Sequence, residues 1–320
     1  MRTLSLSFFL LAMICFFSFQ SCSKSSDPGP TPTPVLPDTL TTGWSKVVIP
    51  GGGDFGDICF INSTTGYVGG NNLFKSIDGG NTWANVFPGF HTTNMNFAPD
   101  GKAFFVSASS LITRTLDGGA TFTNSSIPDI AHDVVFVDNN NGYCVAPGGL
   151  YNSTDGGAVW TKITTTGFVG SGDYSSLAFL NNTTGWLCNS NGIFRSMGSA
   201  STWQPSTFNG MVYGADCVFP VSASNIYAAD KYGNIFKSTD GGAIFNLKAT
   251  LGGGFYCDLH FLDDQNGYAC TGRHIYKTTN GGVSWTTVVS LGVEGIIELH
   301  FTDATHGWAC ATGGVVLILR

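Results

Sequence analysis

Acidic side chains that could do chemistry recur at one place in this sequence, three residues before a phenylalanine. They are Asp57, Asp133, Asp216, Asp258 and Glu298. Two carboxyl groups about 5 to 9 Å apart can hydrolyse a glycosidic bond, one of them as the general acid. A residue type that recurs in five units also fits a structural role, the capping of a strand start. We favour the structural role and keep hydrolysis as the alternative.

Two of these acids are followed by a histidine two positions later, in Asp258-Leu-His260 and Glu298-Leu-His300. Alternate residues of a strand share one face, so each carboxylate should lie on the same side as its histidine. Two histidines and two carboxylates could hold a transition metal in a central channel. Alternatively, the imidazoles fill the inner ring of the fold and bond to neighbouring backbone. We expect no metal and no cofactor.

The elements that position these residues belong to an internal repeat. An eight-residue motif, here called the octet, recurs every 38 to 43 residues. The octets are Ser76–Trp83, Thr115–Phe122, Ser153–Trp160, Ser196–Trp203, Ser238–Phe245 and Thr278–Trp285. An aspartate that accepts backbone N–H groups, followed by glycines with positive φ, is typical of a tight turn. We therefore predict structural roles for the residues at the third octet position, Asp78, Asp117, Asp155, Asp240 and Asn280.

Two further markers share this period. A phenylalanine ends a β-like run before each octet, and a glycine followed by Tyr or Trp usually comes after it. Each unit then contains four short strands, and a seventh unit ends the chain without its fourth strand. The segment after Gly43 matches that missing strand. The sequence predicts an all-β fold over residues 43–320, a seven-bladed β-propeller of four-stranded antiparallel blades. The N-terminal strand joins the C-terminal blade and closes the ring, which removes exposed sheet edges.

The first 42 residues predict a targeting signal, a lipid anchor and a linker. A basic start and an apolar run too short to span a membrane are typical of a signal peptide. Phe19-Gln-Ser-Cys22 resembles the lipobox of bacterial lipoproteins, which implies a signal peptide over residues 1–21 and a lipid on Cys22. Residues 22–42, rich in Pro, Ser and Thr, predict an extended linker. We expect an extracytoplasmic protein, lipid-anchored to a bacterial membrane on its periplasmic face or at the cell surface; ordinary secretion is the alternative.

The octet resembles the Asp-box, or BNR repeat, and the resemblance covers the chain from Gly43 onward. Within that class, the run from Asp133 to Trp160 resembles the photosystem II stability and assembly factor family. This resemblance implies a propeller with a scaffold-type role, because relatives occur as extracytoplasmic lipoproteins in bacteria without photosynthesis. Other Asp-box propellers are sialidases, xyloglucan-degrading hydrolases and sorting receptors. The motif therefore indicates the fold strongly and the function weakly.

Charge and arginine positions exclude two classes of function. A net charge of −7 and a pI near 5.1 argue against a nucleic-acid binder. Sialidase chemistry needs three convergent arginines, but Arg114, Arg195 and Arg320 occupy one repeat position, at the end of the third strand beside the octet turns. Only Arg273 should point toward the opposite face, the mouth. We expect a monomeric, non-enzymatic module that engages a protein or glycan of the cell envelope. Its candidate binding residues are the five recurrent acids with His260, His300, Arg273, Phe255 and Tyr256.

Seven cysteines follow Cys22 in the sequence, and none has the spacing of a zinc site. They are Cys59, Cys144, Cys188, Cys217, Cys257, Cys270 and Cys310. We expect them to be small buried hydrophobic residues. If any two form a bridge, Cys257 and Cys270 are the pair that shares a predicted hairpin.

Overall fold

The computed structural model describes residues 36–107, 110–167, 174–210, 214–252, 254 and 257–320 of the chain. The predicted signal peptide, Cys22 and most of the predicted linker lie outside these residues. The described part is built of short β-strands with a single 3-10 turn at Thr312–Gly314. It contains no helix that is both long enough and apolar enough to cross a membrane.

The strands form seven sheets, which we number as blades along the chain. Two strands precede the first complete blade: β1 (Thr39–Leu40) and β2 (Trp44–Val48). Blade 1 contains β3 (Phe55–Phe60), β4 (Gly66–Gly70), β5 (Leu73–Ser76) and β6 (Ala84–Phe87). Blade 2 contains β7 (Thr92–Phe97), β8 (Ala103–Ser107), β9 (Leu111–Thr115) and β10 (Thr123–Ser126). Blade 3 contains β11 (Asp133–Phe136), β12 (Gly142–Ala146), β13 (Gly149–Ser153) and β14 (Thr161–Lys162).

The remaining blades follow the same antiparallel order. Blade 4 contains β15 (Tyr174–Asn181), β16 (Thr184–Asn189), β17 (Gly192–Met197) and β18 (Trp203–Pro205). After β19 (Thr207–Asn209), blade 5 contains β20 (Cys217–Pro220), β21 (Ile226–Ala229), β22 (Asn234–Ser238) and β23 (Ile244–Thr250). Blade 6 contains β24 (Cys257–Phe261), β25 (Gly267–Thr271), β26 (His274–Thr278) and β27 (Thr286–Ser290). Blade 7 contains β28 (Ile296–Phe301), β29 (Gly307–Ala311), β30 (Val315–Leu319) and β2.

The ring closes through the N-terminal strand. β2 pairs antiparallel with β30, from Trp44 opposite Leu319 to Val48 opposite Val315. The first strands of successive blades contact each other around the ring, and β28 contacts β3. The predicted seven-bladed propeller and its closure by the N-terminal strand are therefore confirmed.

Seven apolar clusters hold the blades together, one at each blade interface. In most interfaces the repeated phenylalanine stacks on the second-strand aromatic of the preceding blade. Phe60 lies 3.7 Å from Trp308, and Phe261 lies 3.6 Å from Tyr227, measured between ring centroids. Offset stacks of this kind stabilise by about 0.5–1.5 kcal/mol beyond the area they bury. The two sequence markers of the repeat are thus the two halves of one inter-blade contact.

The glycine that precedes each second-strand aromatic has a steric explanation. A Cβ added at Gly66 would lie 2.4 Å from the ring of Phe60, and one at Gly267 would lie 2.5 Å from the ring of Phe261. In five of the seven blades the phenylalanine therefore folds over the glycine opposite it on the neighbouring strand, and a side chain there would clash with the ring. Blades 2 and 5 have Ala103 and Ile226 at this place.

Two strands lie outside the four-stranded pattern. β1 pairs with β27 on the outer edge of blade 6, and β19 pairs in parallel with β23 on the outer edge of blade 5. The first described strand, β1, therefore lies inside the segment predicted as a linker, before Gly43. Asp38, just before β1, holds this segment against the propeller. Its carboxylate accepts the N–H of Gly292 and pairs with Lys46 at 2.8 Å.

All seven cysteines of the propeller are buried, and all are free thiols. Cys257 lies opposite Thr271 and Cys270 lies opposite Asp258. Successive side chains of a strand point to opposite faces of the sheet, and Cys270 lies opposite Asp258, the residue after Cys257. The two sulfur atoms therefore lie on different faces of their hairpin. A Cys257–Cys270 bridge, the pair suggested by the sequence, is therefore wrong.

Candidate functional site

The turns formed by the octets lie together on one face of the ring, here called the octet face, and satisfy their own polar groups. Asp78 accepts the N–H of Thr82 at 2.9 Å and its hydroxyl at 2.6 Å, and Ser76 accepts the N–H of Gly80. Hydrogen bonds lower the pKa of Asp78 to about 2, with the Thr82 hydroxyl making the largest contribution. Asn280 performs the same task with its amide oxygen, which accepts the N–H of Ser284.

The same pattern extends to the other octets. Asp117 accepts the N–H of Thr121, Asp155 that of Val159 and Asp240 that of Ile244. These carboxylates are therefore committed to their turns and offer little to a ligand.

Basic residues of the octet face tie one blade to the next. Lys75 donates to the carbonyl of Gly118 at 2.7 Å, and Arg320 donates to the carbonyl of Gly79 at 2.9 Å. Arg114 donates to the carbonyl of Gly156 in the same way. Each acceptor belongs to the octet of the following blade, so these cations connect neighbouring blades.

A central channel runs between the first strands of the blades and encloses a cavity of about 370 Å³. Four of the predicted acids, Asp57, Asp133, Asp258 and Glu298, line it, and the first three bind the backbone of the next blade. Asp133 accepts the N–H of Leu177 at 2.6 Å, and Asp258 accepts that of Leu299 at 2.9 Å. Asp57 accepts the N–H of Met95. Each of these three acids therefore connects two blades, a role that the sequence did not suggest.

Burial shifts the titration of these acids toward neutral pH. Desolvation is the main cause, and it raises the pKa of Asp57 to about 8 and the pKa values of Asp133 and Asp258 to about 7. The pKa of Glu298 is raised well above its ordinary value, by desolvation first and then by the neighbouring carboxylates. These four residues, Asp57, Asp133, Asp258 and Glu298, are here called the acid ring, and at neutral pH a substantial part of it is protonated.

Asp216 does not share the position of the other four acids. In blade 5, Tyr227 pairs with Phe219, whereas in blade 1 the equivalent Tyr67 pairs with Cys59. The strand is shifted by one residue, so Cys217 occupies the carboxylate position and Asp216 moves up into the mouth. The sequence count from the phenylalanine is wrong here, because the turn after Phe219 contains an extra residue.

His260 and His300 line the channel below the acids. The Nε2 atom of His300 lies 2.9 Å from the carbonyl oxygen of Phe60, and the His260 ring lies 5.0 Å from that of Phe219. Desolvation lowers the pKa of His260 to about 3 and that of His300 to about 4, so both rings are neutral near pH 7. Within the described ranges, no three His, Cys, Asp or Glu side chains are placed to hold a metal ion.

Above the acid ring, the channel opens into a mouth cavity of about 470 Å³. Its walls come from five blades and include residues that the sequence analysis did not select. Its lining consists of Asp54, Phe55, Gly56, Gly70, His91, Thr92, Thr93, Asp216, Cys257, Ile297 and Glu298. Thr92 carried no repeat signal, because its importance depends on how loops from distant blades meet.

Of the predicted mouth residues, the structure therefore brings together Asp216 and Glu298. Arg273 lies in the loop between the second and third strands of blade 6, where its guanidinium donates to the carbonyl of Gly292. It does not line the mouth cavity, and its orientation toward the mouth stays a prediction. Phe255 and Tyr256 lie outside the described residues.

Comparison with solved structures places this arrangement among known propellers. The chain resembles YCF48 from Cyanidioschyzon merolae with a TM-score of 0.73 at 18% identity, covering 87% of this chain and 99% of that one. A structure of YCF48 bound to D1 peptide gives a TM-score of 0.71 at 17% identity, covering 90% and 99%.

A glycoside hydrolase also shares the fold. The GH74 xyloglucanase from Xanthomonas campestris gives a TM-score of 0.66 at 14% identity, and the match covers 85% of this chain and 52% of the enzyme. No protein-family profile and no curated protein sequence matches the chain. At these identities the likeness establishes the fold alone.

Proposed function

We propose that this chain is a membrane-tethered, extracytoplasmic, non-enzymatic binding module that engages a protein partner through its mouth. The mouth cavity supports this proposal most directly, because loops from five blades converge there around an open volume of about 470 Å³. Cavities of this size with a few convergent polar groups are typical binding sites. The opposite face is less suited to this role, since its aspartates and basic residues are engaged in turns and blade contacts.

The structural neighbours are compatible with this role. One of them, YCF48, has been captured with a D1 peptide, which is an instance of peptide binding on this fold at 17% identity. A tether on Cys22 would hold the module at a membrane, because acyl chains contribute about 0.8 kcal/mol per buried methylene. Replacing Cys22 with Ser should move the protein from the membrane fraction to the aqueous fraction, and retention in the membrane would contradict the tether.

Site-directed photo-crosslinking in the native envelope tests the binding face. A crosslinkable residue at His91, which is exposed at the mouth, should capture a discrete partner. The control position is Ile77, which is 71% exposed in an octet turn. Capture at Ile77 without capture at His91 would contradict the proposal, because binding would then lie on the octet face.

Glycoside hydrolysis is the second candidate, because Asp216 and Glu298 line the same cavity. Both have raised pKa values owing chiefly to desolvation, and a raised pKa suits a general acid. Release of reducing ends from envelope polysaccharides or xyloglucan, abolished by Asp216→Asn and by Glu298→Gln, would favour this candidate over a pure binding role. If the protein releases no reducing ends from these polysaccharides, the result favours the binding role.

A further inference from the structure

The mouth cavity is rich in hydrogen-bond acceptors and poor in donors. Asp54, Asp216 and Glu298 contribute carboxylates to its wall. Its described lining contains no Lys or Arg side chain. Of the three acids, Asp54 is partly engaged, since it accepts the N–H of Gly313 at 2.9 Å. The wall therefore offers carboxyl groups, and no Lys or Arg of its described lining pairs with them.

Buried oxygen atoms without a partner provide a second, independent observation. Thr92 lines the cavity with no exposed surface, and its hydroxyl makes no hydrogen bond. The Oδ2 atom of Asp216 is buried and equally without a partner. Below the mouth, the Oδ1 atom of Asn94 lines the channel in the same state. Orphaned buried polar atoms are rare in native proteins, and each requires an explanation.

A donor-bearing cation explains both observations. An ammonium or guanidinium group carries three to five N–H donors and no acceptor, which complements a wall of unpaired acceptors. It also supplies the positive charge that the carboxylates lack. A neutral glycan offers acceptors as well as donors and supplies no charge. A bare metal ion fits less well, since no three metal-binding side chains are grouped in the described residues.

We propose that the mouth cavity binds the basic side chain, Lys or Arg, of a partner protein. This proposal rests on the proposed binding function and specifies its chemistry. The volume of about 470 Å³ accommodates a long side chain and part of its backbone. Phe55 and Ile297 also line the cavity and offer apolar surface to the methylene stem, which long basic side chains pack against.

Binding should be coupled to proton release. The pKa of Glu298 is raised by desolvation and by the carboxylates of Asp258, Asp57 and Asp133 that face it. The pKa of Asp216 is raised by desolvation and by Asp230, and Lys231 opposes this shift. A cation in the cavity favours the ionised forms and displaces their protons. Affinity should therefore weaken as the pH falls and more of these carboxyls become protonated.

Calorimetric titration with capped tripeptides tests the proposal directly. The probes are acetyl-Gly-Lys-Gly-amide and its Arg counterpart, with Nε-acetyl-lysine and citrulline versions as neutral matches. We expect binding of the two cationic peptides and at least tenfold weaker binding of the neutral ones. The apparent heat near pH 7 should also differ between buffers of different ionisation enthalpy, because protons leave the site.

Three variants locate the interaction, and one serves as the control. Asp216→Asn and Glu298→Gln should each weaken binding about tenfold or more, since a hydrogen bond to a charged group is lost. Thr92→Val keeps the shape of the side chain and removes the orphan hydroxyl. It should raise the melting temperature and still weaken cation binding. The control, Asp303→Asn, removes the same charge in the turn between the first two strands of blade 7, outside the mouth cavity. It should leave the affinity for the cationic peptides unchanged.

The outcomes separate this inference from the proposed function. Equal affinity for cationic and neutral peptides would overturn the inference, as would affinity that Asp216→Asn and Glu298→Gln leave unchanged. If no peptide binds while His91 still captures a partner in the envelope, the cation proposal is refuted and the binding function stands. If neither is observed, both are refuted.

Discussion

Removing the last strand of the chain is expected to unfold the whole ring. A stop codon after Gly314 deletes β30, which lies between β29 and the N-terminal strand β2 in blade 7. The first four residues lost, Val315 to Ile318, are between 0% and 1% exposed. Fully burying an aliphatic side chain contributes about 1.5–3 kcal/mol, so the deletion removes about 6–12 kcal/mol. That loss is comparable with the whole stability of a typical domain, about 5–15 kcal/mol.

Chemical denaturation with tryptophan fluorescence measures the effect. The full propeller should unfold cooperatively, and the truncated chain should show no folded baseline. Leu317→Ala gives a graded version with an expected loss of about 2–5 kcal/mol, because Leu317 is fully buried. Val48→Ala is the matched control, since Val48 pairs with Val315 in the same closure but is 57% exposed. A truncated chain that unfolds cooperatively at an unchanged midpoint would refute the closure argument.

Three other predictions concern the repeat, the acid ring and the thiols. Gly66→Ala should lower the free energy of unfolding by about 1–3 kcal/mol, because the new methyl group clashes with the ring of Phe60. Gly295→Ala is the control: its Cβ would meet its nearest neighbour only at 3.9 Å, so thermal unfolding should be almost unchanged. Because Asp57, Asp133 and Asp258 have folded pKa values of about 7 to 8, well above their unfolded values, the free energy of unfolding should fall as the pH rises from about 6.5 to 8. Below about pH 7 the channel histidines oppose this trend, because they are protonated only in the unfolded state. Denaturation at several pH values should therefore show a slope that Asp57→Asn makes less negative, and the difference between the two proteins isolates the contribution of Asp57. The seven propeller thiols, buried and with raised pKa values, should resist alkylation until the protein is denatured, and modification of the native protein would contradict their burial.

The fold could be predicted because its determinants recur. Phe261 and Tyr227 meet at one blade interface as Phe60 and Trp308 meet at another, so the same contact recurs at most of the blade interfaces. The same recurrence misled at Asp216. Its count from the phenylalanine matched the other blades, but an extra residue in the following turn shifted the strand by one position. Periodicity fixes the number of blades more reliably than it fixes the register within one of them.

The mouth could not be predicted in this way, because it is the part of the molecule that does not repeat. Thr92 contributes to the cavity through contacts among loops from distant blades, and no local pattern marks it. The edge strand β1 depends similarly on Asp38 reaching Gly292, which is more than 250 residues away in sequence. Residues with repeated roles were visible in the sequence, whereas residues that give this propeller its individual surface required the three-dimensional structure.

The acid ring changes how the charge of this protein should be understood. A formal net charge of −7 counts every Asp and Glu as ionised. Yet the pKa values of Asp57, Asp133, Asp258 and Glu298 are all raised toward or above neutrality by burial. Part of the formal negative charge is therefore absent at neutral pH, and the cation proposed for the mouth would increase the ionised fraction. A cationic ligand would be attracted first by the exposed carboxylates. It would then be held by further carboxyl groups that lose their protons when it binds. Such a site discriminates by charge at the point of binding, so its affinity should respond to pH more strongly than its association rate does.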